Sequence, residues 1–400
     1  MKLLTELKRA FAILMIFSTV FLSGCWNSRE LNTLAIAVCI GIDKSDNGYI
    51  ITNQVINPKA IASKKTINQS PVVLYSEEDK DIFEAYRKMT SECPRKIYNS
   101  HLRMVVISEE AAREGINKFL DFFARDHEFR TDFYFTIARG TTAQNVLSML
   151  TPLEAIPGIE MYNSLKTSEL AWAPTKSVKI VELVNSILAD GKSAVLTGIE
   201  VTPGDNDSNS ITGLSKTNSL KKLKYTSLGA FKKDMLTGWL NEEQSKGFNY
   251  ITGNVSNTVG YLQINENVKI TFEATKVKSK INVHMLDGKP AIEVEINIDQ
   301  NVGAVSGEFD VSKPENKNKL DELSGKKIKG ICEDSVNKAK NELKTDIFGF
   351  GEAIHRKYPK VWEKLKDNWE NEFPELPVKI TVKAETKQLG QITKPFFIKE

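Results

Sequence analysis

The chain is 400 residues long, 41% hydrophobic and 26% charged, with a formal net charge of +3, an ordinary globular balance with apolar residues enough for two or three domains. A charge this close to neutral leaves no electrostatic footprint for nucleic acid. Cys25, Cys39, Cys93 and Cys332 are too few and too scattered for a disulfide scaffold or a paired-cysteine metal site, although Cys39, Cys93 and Cys332 leave room for one disulfide.

In chain order, Lys2, Lys8 and Arg9 precede an apolar run at 10–22, and Leu22-Ser23-Gly24-Cys25 follows. A basic start, an apolar stretch and small residues at a cleavage point form an export signal. The last four residues resemble a bacterial lipobox, in which the thiol takes a diacylglyceryl group and cleavage falls just before it. The apolar run is shorter than the roughly 17 residues that a spanning helix needs. Residues 1–24 are therefore expected to be a lipoprotein signal peptide, Cys25 the lipidated mature N-terminus, and a lipid bilayer the first partner. Two acyl chains hold a protein stably at a membrane, at about 0.8 kcal/mol per buried methylene.

Residues 25–201 are expected to form an N-terminal mixed α/β domain. The apolar run 34–42, turn residues around Asn47-Gly48 and the β-branched stretch 49–56 predict a hairpin. Residues 72–74 predict a short strand, and Ile82, Ala85, Tyr86 and Met89 follow a helical spacing. A strand at 102–107 leads into one helix capped by Ser108, with Ile116, Phe119, Leu120 and Phe123 as its stripe. A strand at 133–137, helices at 142–150 and 175–188, and a closing strand at 193–201 complete the alternation.

Residues 202–219 are rich in turn formers and predict a polar linker or loop. The remainder, 220–400, predicts an α+β region divisible near 262 and 263. Its β-like pieces are 228–231 and 248–255, followed by longer strands at 268–277, 280–285 and 291–298, the last two joined through Asp287-Gly288. Helical spacing runs over 314–346, a second helical stretch carries Trp362, Leu365 and Trp369 on one face as core, and 378–384 is a final strand. The fold class expected is thus α+β or mixed α/β, in two to three domains with mixed sheets flanked by helices.

The motifs that could carry chemistry fail on spacing. Asp205-x-Asp207-x-Asn209 begins like a calcium loop, but Ser210 and Lys216 stand where the glycine and the bidentate glutamate belong. Gly349-Phe350-Gly351 has no strand before it and reads as a break between helices, not a phosphate cradle. His101, His127, His284 and His355 show no zinc spacing, and His101 reads as a structural histidine beside a strand start. Cys39, within an apolar strand, reads as core. No catalytic, metal-binding or cofactor-binding residue is expected, and Cys25 is the one residue given a chemical role.

Several segments together resemble one family. They are Cys25-Trp26-Asn27-Ser28-Arg29-Glu30-Leu31, Gly41-Ile42-Asp43, the stretch 94–102, Leu120-Asp121-Phe122-Phe123-Ala124-Arg125-Asp126, residues 231–240, residues 346–351 and residues 359–362. In this order they resemble the Ger(x)C family of spore germination lipoproteins, the C subunits of GerA-type nutrient germinant receptors. Asn27, where an acidic residue is expected, and the polar insert near 204–219 depart from the pattern.

The resemblance implies a non-enzymatic, lipid-anchored subunit on the outer face of the spore inner membrane, assembled with integral-membrane A and B subunits. It also implies a three-domain mixed α/β architecture and no cofactor beyond the lipid at Cys25. Two other readings compete. A free-standing solute-binding lipoprotein would have two similar lobes, and an envelope hydrolase would need a convergent acid pair or metal cluster.

Overall fold

The computed structural model describes residues 2–21, 30–62, 69–204, 209–214 and 221–390. Cys25 and the adjoining residues 26–29 lie outside the described residues, as do Asp205, Asp207 and Lys216 of the calcium-like segment. The N-terminal helix α1 is Lys2–Phe21. Among the described residues no helix is long and apolar enough to cross a membrane.

The first sheet is built on β1 (Leu34–Ser45), an almost unbroken apolar run buried on both faces, as a central strand with parallel neighbours demands. It turns back into β2 (Gly48–Ile56) through the expected hairpin, where Gly48 has φ +147° and a side chain would strike the Asp79 carbonyl. After α2 (Pro58–Ala62), β3 (Val72–Asp79) pairs antiparallel with β2 and runs well beyond the short strand expected. Helix α3 (Ile82–Lys88) leads to β4 (Lys96–Tyr98), which pairs with the first residues of β1.

Strand β5 (Met104–Ser108) lies parallel to β1. The single helix expected after Ser108 is two, α4 (Glu109–Glu114) and α5 (Asn117–Arg125), because Gly115 takes φ +113° where a side chain would meet the Asp234 carboxylate. Then come β6 (Tyr134–Ala138), α6 (Ala143–Ser148), α7 (Pro157–Ala171), α8 (Ile180–Leu188) and β7 (Val195–Val201). Past α9 (Ile211–Leu214), β8 (Leu223–Lys232) and β9 (Met235–Trp239) are joined to β7 in the order β3-β2-β1-β5-β6-β7-β8-β9. Residues 202–219 therefore connect two antiparallel neighbours of one sheet. The sheet expected to close at residue 201 takes two further strands.

Residues 248–251, expected as a β-like piece, belong instead to α10 (Glu242–Thr252). The helix is set by a reciprocal cap. Asn241 Oδ1 accepts from the Gln244 amide at 2.8 Å, Gln244 Oε1 accepts from the Asn241 amide at 2.9 Å, and Gly253 ends the helix at φ +75°. Its apolar run misleads because Phe248, Tyr250 and Ile251 are all buried. A helix enclosed on every side loses its amphipathic stripe.

The second sheet has the order β10-β11-β12-β13. Strand β10 (Thr258–Asn265) is an edge, and β11 (Val268–Leu286) and β12 (Lys289–Ser306) form one long ribbon. What is expected as two strands at 268–277 and 280–285 is one, irregular in register near Ala274 and Lys276. Asp287 and Gly288 turn it at φ +48° and +78°, the left-handed pair of a tight hairpin. Helix α11 (Pro314–Asn337) packs on this sheet and continues as a π turn, Lys338–Leu343. Helices α12 (Phe350–Lys357), α13 (Pro359–Leu365) and α14 (Trp369–Glu375) precede β13 (Val378–Gln388), parallel to β12. Trp362 and Trp369 sit on separate helices, not on one face of one helix, because a 3-10 turn at Lys366–Asn368 intervenes. Their indoles still meet edge-on in the core, 5.1 Å between centroids.

Removing the cap of α10 tests this assignment. Asn241→Ala leaves the Gln244 amide without its acceptor and is expected to cost about 1 kcal/mol in urea denaturation, whereas a residue that caps no helix would leave stability nearly unchanged.

Candidate functional site

Three of the segments singled out in the sequence hold the scaffold. The Asp43 carboxylate accepts from the amides of Ala143 at 2.7 Å and Gln144 at 2.8 Å, so β1 caps the start of α6 from outside the helix. Burial raises this carboxyl above its usual range, against the pull of the two amides. At Gly41 an added side chain would come within 3.2 Å of Ala143, which explains how closely α6 lies on β1.

The 94–98 and 120–126 segments meet at a cleft of about 700 Å³ between α3, β4 and α5. Its floor is aromatic. Phe122 lies 5.2 Å from Tyr86 and 6.2 Å from Phe83, edge-on or tilted, and Phe83 is 48% exposed. The rim is charged but largely satisfied: Arg125 bonds Asp121 at 2.8 Å, Lys96 pairs with Glu128, and the Arg87 guanidinium stands 4.9 Å above the Phe83 ring. Tyr86 donates to Asn53 Oδ1 at 2.6 Å, and burial holds its phenol neutral, far above its ordinary pKa. An apolar floor inside a rim that pairs with itself suits an aromatic or aliphatic side chain better than a charged ligand. Sequence reasoning missed Phe83 and Arg87, whose four-residue spacing on the exposed side of α3 was the available signal.

The third segment joins the two sheets. The Asp346 carboxylate accepts from the amides of Phe348 (3.1 Å), Gly349 (2.9 Å) and Gly351 (2.8 Å), curling the chain into the start of α12 with Gly349 at φ +76°. Its carbonyl accepts from the Ser193 amide at 2.7 Å, and the Gly191 carbonyl accepts from the Glu352 amide at 3.0 Å. Thr345 Oγ1 adds bonds to Ser193 Oγ (2.7 Å) and the Phe231 carbonyl (2.9 Å). A side chain at Gly351 would stand 2.6 Å from Gly191 Cα, so the two glycines allow backbone-to-backbone contact. Gly349-Phe350-Gly351 thus precedes and opens a helix, as expected of a break, and also seats that helix on the first sheet. Burial pushes the Asp346 carboxyl up to about 6 despite its amide donors.

Elsewhere, His101 is exposed and stands 6.1 Å from the Tyr98 ring, while His355 stacks on Trp362 at 6.1 Å. Cys39, Cys93 and Cys332 are free and buried, and burial raises the thiol pKa of Cys39 and Cys332. Among the described residues no group of three or more His, Cys, Asp or Glu side chains is placed to hold a metal ion.

This two-sheet architecture, with mixed sheets flanked by helices, is a known one. The crystal structure of the GerBC protein superposes with a TM-score of 0.56 over 87% of this chain and 96% of that one, at 21% identity. The family model described as "Spore germination protein N-terminal domain" matches residues 27–201, and "Spore germination B3/GerAC like, C-terminal" matches residues 226–390. Spore germination protein KC of Bacillus subtilis is 33% identical over 392 residues, 95% of each chain. Spore germination protein B3 of the same organism is 24% identical over 391 residues, 95% of this chain and 98% of that one. The chain belongs to this Ger(x)C family of spore germination proteins.

The junction yields two expectations. Asp346 binds its proton more tightly folded than unfolded, so its contribution to stability falls as pH rises from about 4 to about 6, by up to roughly 3 kcal/mol. Urea titrations across that window should show a steeper loss in the wild type than in Asp346→Asn. Thermal unfolding should separate two glycines. Gly351→Ala forces backbone against Gly191 and costs about 1–3 kcal/mol, whereas Gly330→Ala, in open space within α11, stabilises by about 0.5–1 kcal/mol.

Proposed function

We propose that this chain is the lipid-anchored C subunit of a spore nutrient germinant receptor. It sits on the outer face of the spore inner membrane through a diacylglyceryl Cys25. It acts without catalysis, as a scaffold or coupling subunit beside the integral-membrane A and B subunits. The observation that carries the reading is the end-to-end similarity, 33% identity over 95% of both chains, to a protein named for spore germination.

The lipobox-like Leu22-Ser23-Gly24-Cys25 after a basic and apolar leader supports the anchor. The cleft supports a coupling role, since its aromatic floor and self-paired rim match the anatomy of a protein-docking surface. Its charged groups are occupied with one another and with backbone, an arrangement suited to holding shape.

Replacing the thiol tests the proposal. In spores carrying Cys25→Ala, the protein is expected to leave the membrane fraction, and germination with nutrient should slow while germination by receptor-independent agents does not. A Cys25→Ala protein that remains membrane-bound and supports normal nutrient germination overturns the anchored-subunit reading.

A further inference from the structure

We propose that the end of the first sheet where β1 enters is a bilayer-contacting face, held by the Cys25 anchor against anionic lipid headgroups. The inference rests on the lipid-anchor reading and adds the orientation that the fold imposes on it. From Cys25 to Leu34 is nine residues (34 − 25), which reach at most about 30 Å when fully extended. Leu31–Thr33 form a 3-10 turn, which shortens that reach. The surface around Leu34 therefore lies close to the lipid.

Strand register says what that surface holds. Leu34 pairs with Lys96 at the start of β4, and Ala37 pairs with Val55, so α2 leaves the sheet at the same end, with Val72 of β3 beside Ile56. The 126–132 turn is tied to this end by Lys96–Glu128, by Ser100 Oγ donating to the Glu128 carbonyl at 2.9 Å, and by Arg103–Asp132 at 3.1 Å.

Two properties mark the face. It exposes apolar side chains, Leu31 at 72%, Ile61 at 45% and Val73 at 41%. Among the described residues, Lys59, Arg95 and Arg130 form no ion pair with a carboxylate, while Glu128 and Asp132, the acids tied to this end, are paired with Lys96 and Arg103. The opposite end of the same strands has the reverse character. Glu77, Glu78 and Asp79 lie beside Ile51, Ile50 and Tyr49, and Glu109, Glu110 and Glu114 follow the end of β5. Asp79, Glu109 and Glu114 are paired with Lys88, Arg113 and Lys44, which leaves Glu77, Glu78 and Glu110 outside these pairs. Outside the ion pairs, the entry end thus offers Lys59, Arg95 and Arg130 beside exposed apolar side chains, and the far end offers Glu77, Glu78 and Glu110. Apolar side chains ringed by long cationic ones suit the headgroup boundary, and an anionic surface attracts one end of this sheet while repelling the other.

The experiment uses the full lipidated chain in vesicles of phosphatidylcholine with about one-third phosphatidylglycerol. Because Cys39, Cys93 and Cys332 are buried, a fluorophore can be directed to Ile61→Cys at the entry end or to Glu78→Cys at the far end, and quenched by nitroxide-bearing lipid. The label at 61 is expected to quench several-fold more than the label at 78. Reversal at Lys59→Glu, Arg95→Glu and Arg130→Glu should narrow that difference while the chain still floats with the vesicles. Equal quenching at both positions in a floating, lipidated chain overturns the inference and leaves the anchor reading intact. A chain without lipid at Cys25 overturns the anchor reading. The face is then scored by its own binding to anionic against neutral vesicles: preference for anionic vesicles that the triple reversal abolishes supports it, and equal binding or none overturns it.

Discussion

The joining of the two sheets depends on one buried carboxylate. Asp346 gathers the amides of Phe348, Gly349 and Gly351 at the start of α12 and presents its own carbonyl to Ser193, so one residue shapes the loop and docks it. The contact is backbone against backbone, Gly351 on Gly191, which leaves no side-chain slack at the joint. A loop of this kind tolerates little drift, because each unmade bond strands a buried amide. The helices α12–α14 consequently form a continuous support between the first sheet and the long β11–β12 ribbon.

That support places the features with partner-binding character on the first sheet. The aromatic cleft between α3 and α5 shares Lys96 and Glu128 with the end at which β1 enters. The proposed anchoring at Cys25 would carry this cleft near the membrane. The second sheet is covered by α11 and bounded by β10 and β13.

Much of this was legible in the chain because the signals were local. The β1–β2 hairpin followed from an apolar run and Asn47-Gly48, the α4 start from Ser108, and the β11–β12 turn from Asp287-Gly288. Errors arose where tertiary context outweighed local pattern. Phe248–Ile251 looks like a strand because burial on all sides removes helical periodicity, although the Asn241…Gln244 cap was present in the letters. The stripe through Phe123 looks like part of one helix because its spacing does not register the break at Gly115, whose φ of +113° is set against Asp234. Residues 202–219 lie between the two family segments, 27–201 and 226–390, yet join neighbouring strands of one sheet, because polarity marks a loop but not what the loop joins. The cleft was half visible: its 94–98 and 120–126 segments stood out, while Phe83 and Arg87 became meaningful once α3 was set beside α5.

By itself the sequence determined what linear order carries: the alternation of strands and helices and the family, together with a lipobox-like pattern ending at Cys25. These depend on residues adjacent in the chain or on segments matched in order. Only the tertiary structure decided that β8 and β9 extend the first sheet, that Asp346 and Gly191 join the two sheets, and which side chains share the end of the first sheet where β1 begins. Each of these is a contact between residues far apart in sequence. Such pairings are chosen by packing and hydrogen-bond satisfaction across the whole chain, not by any local propensity.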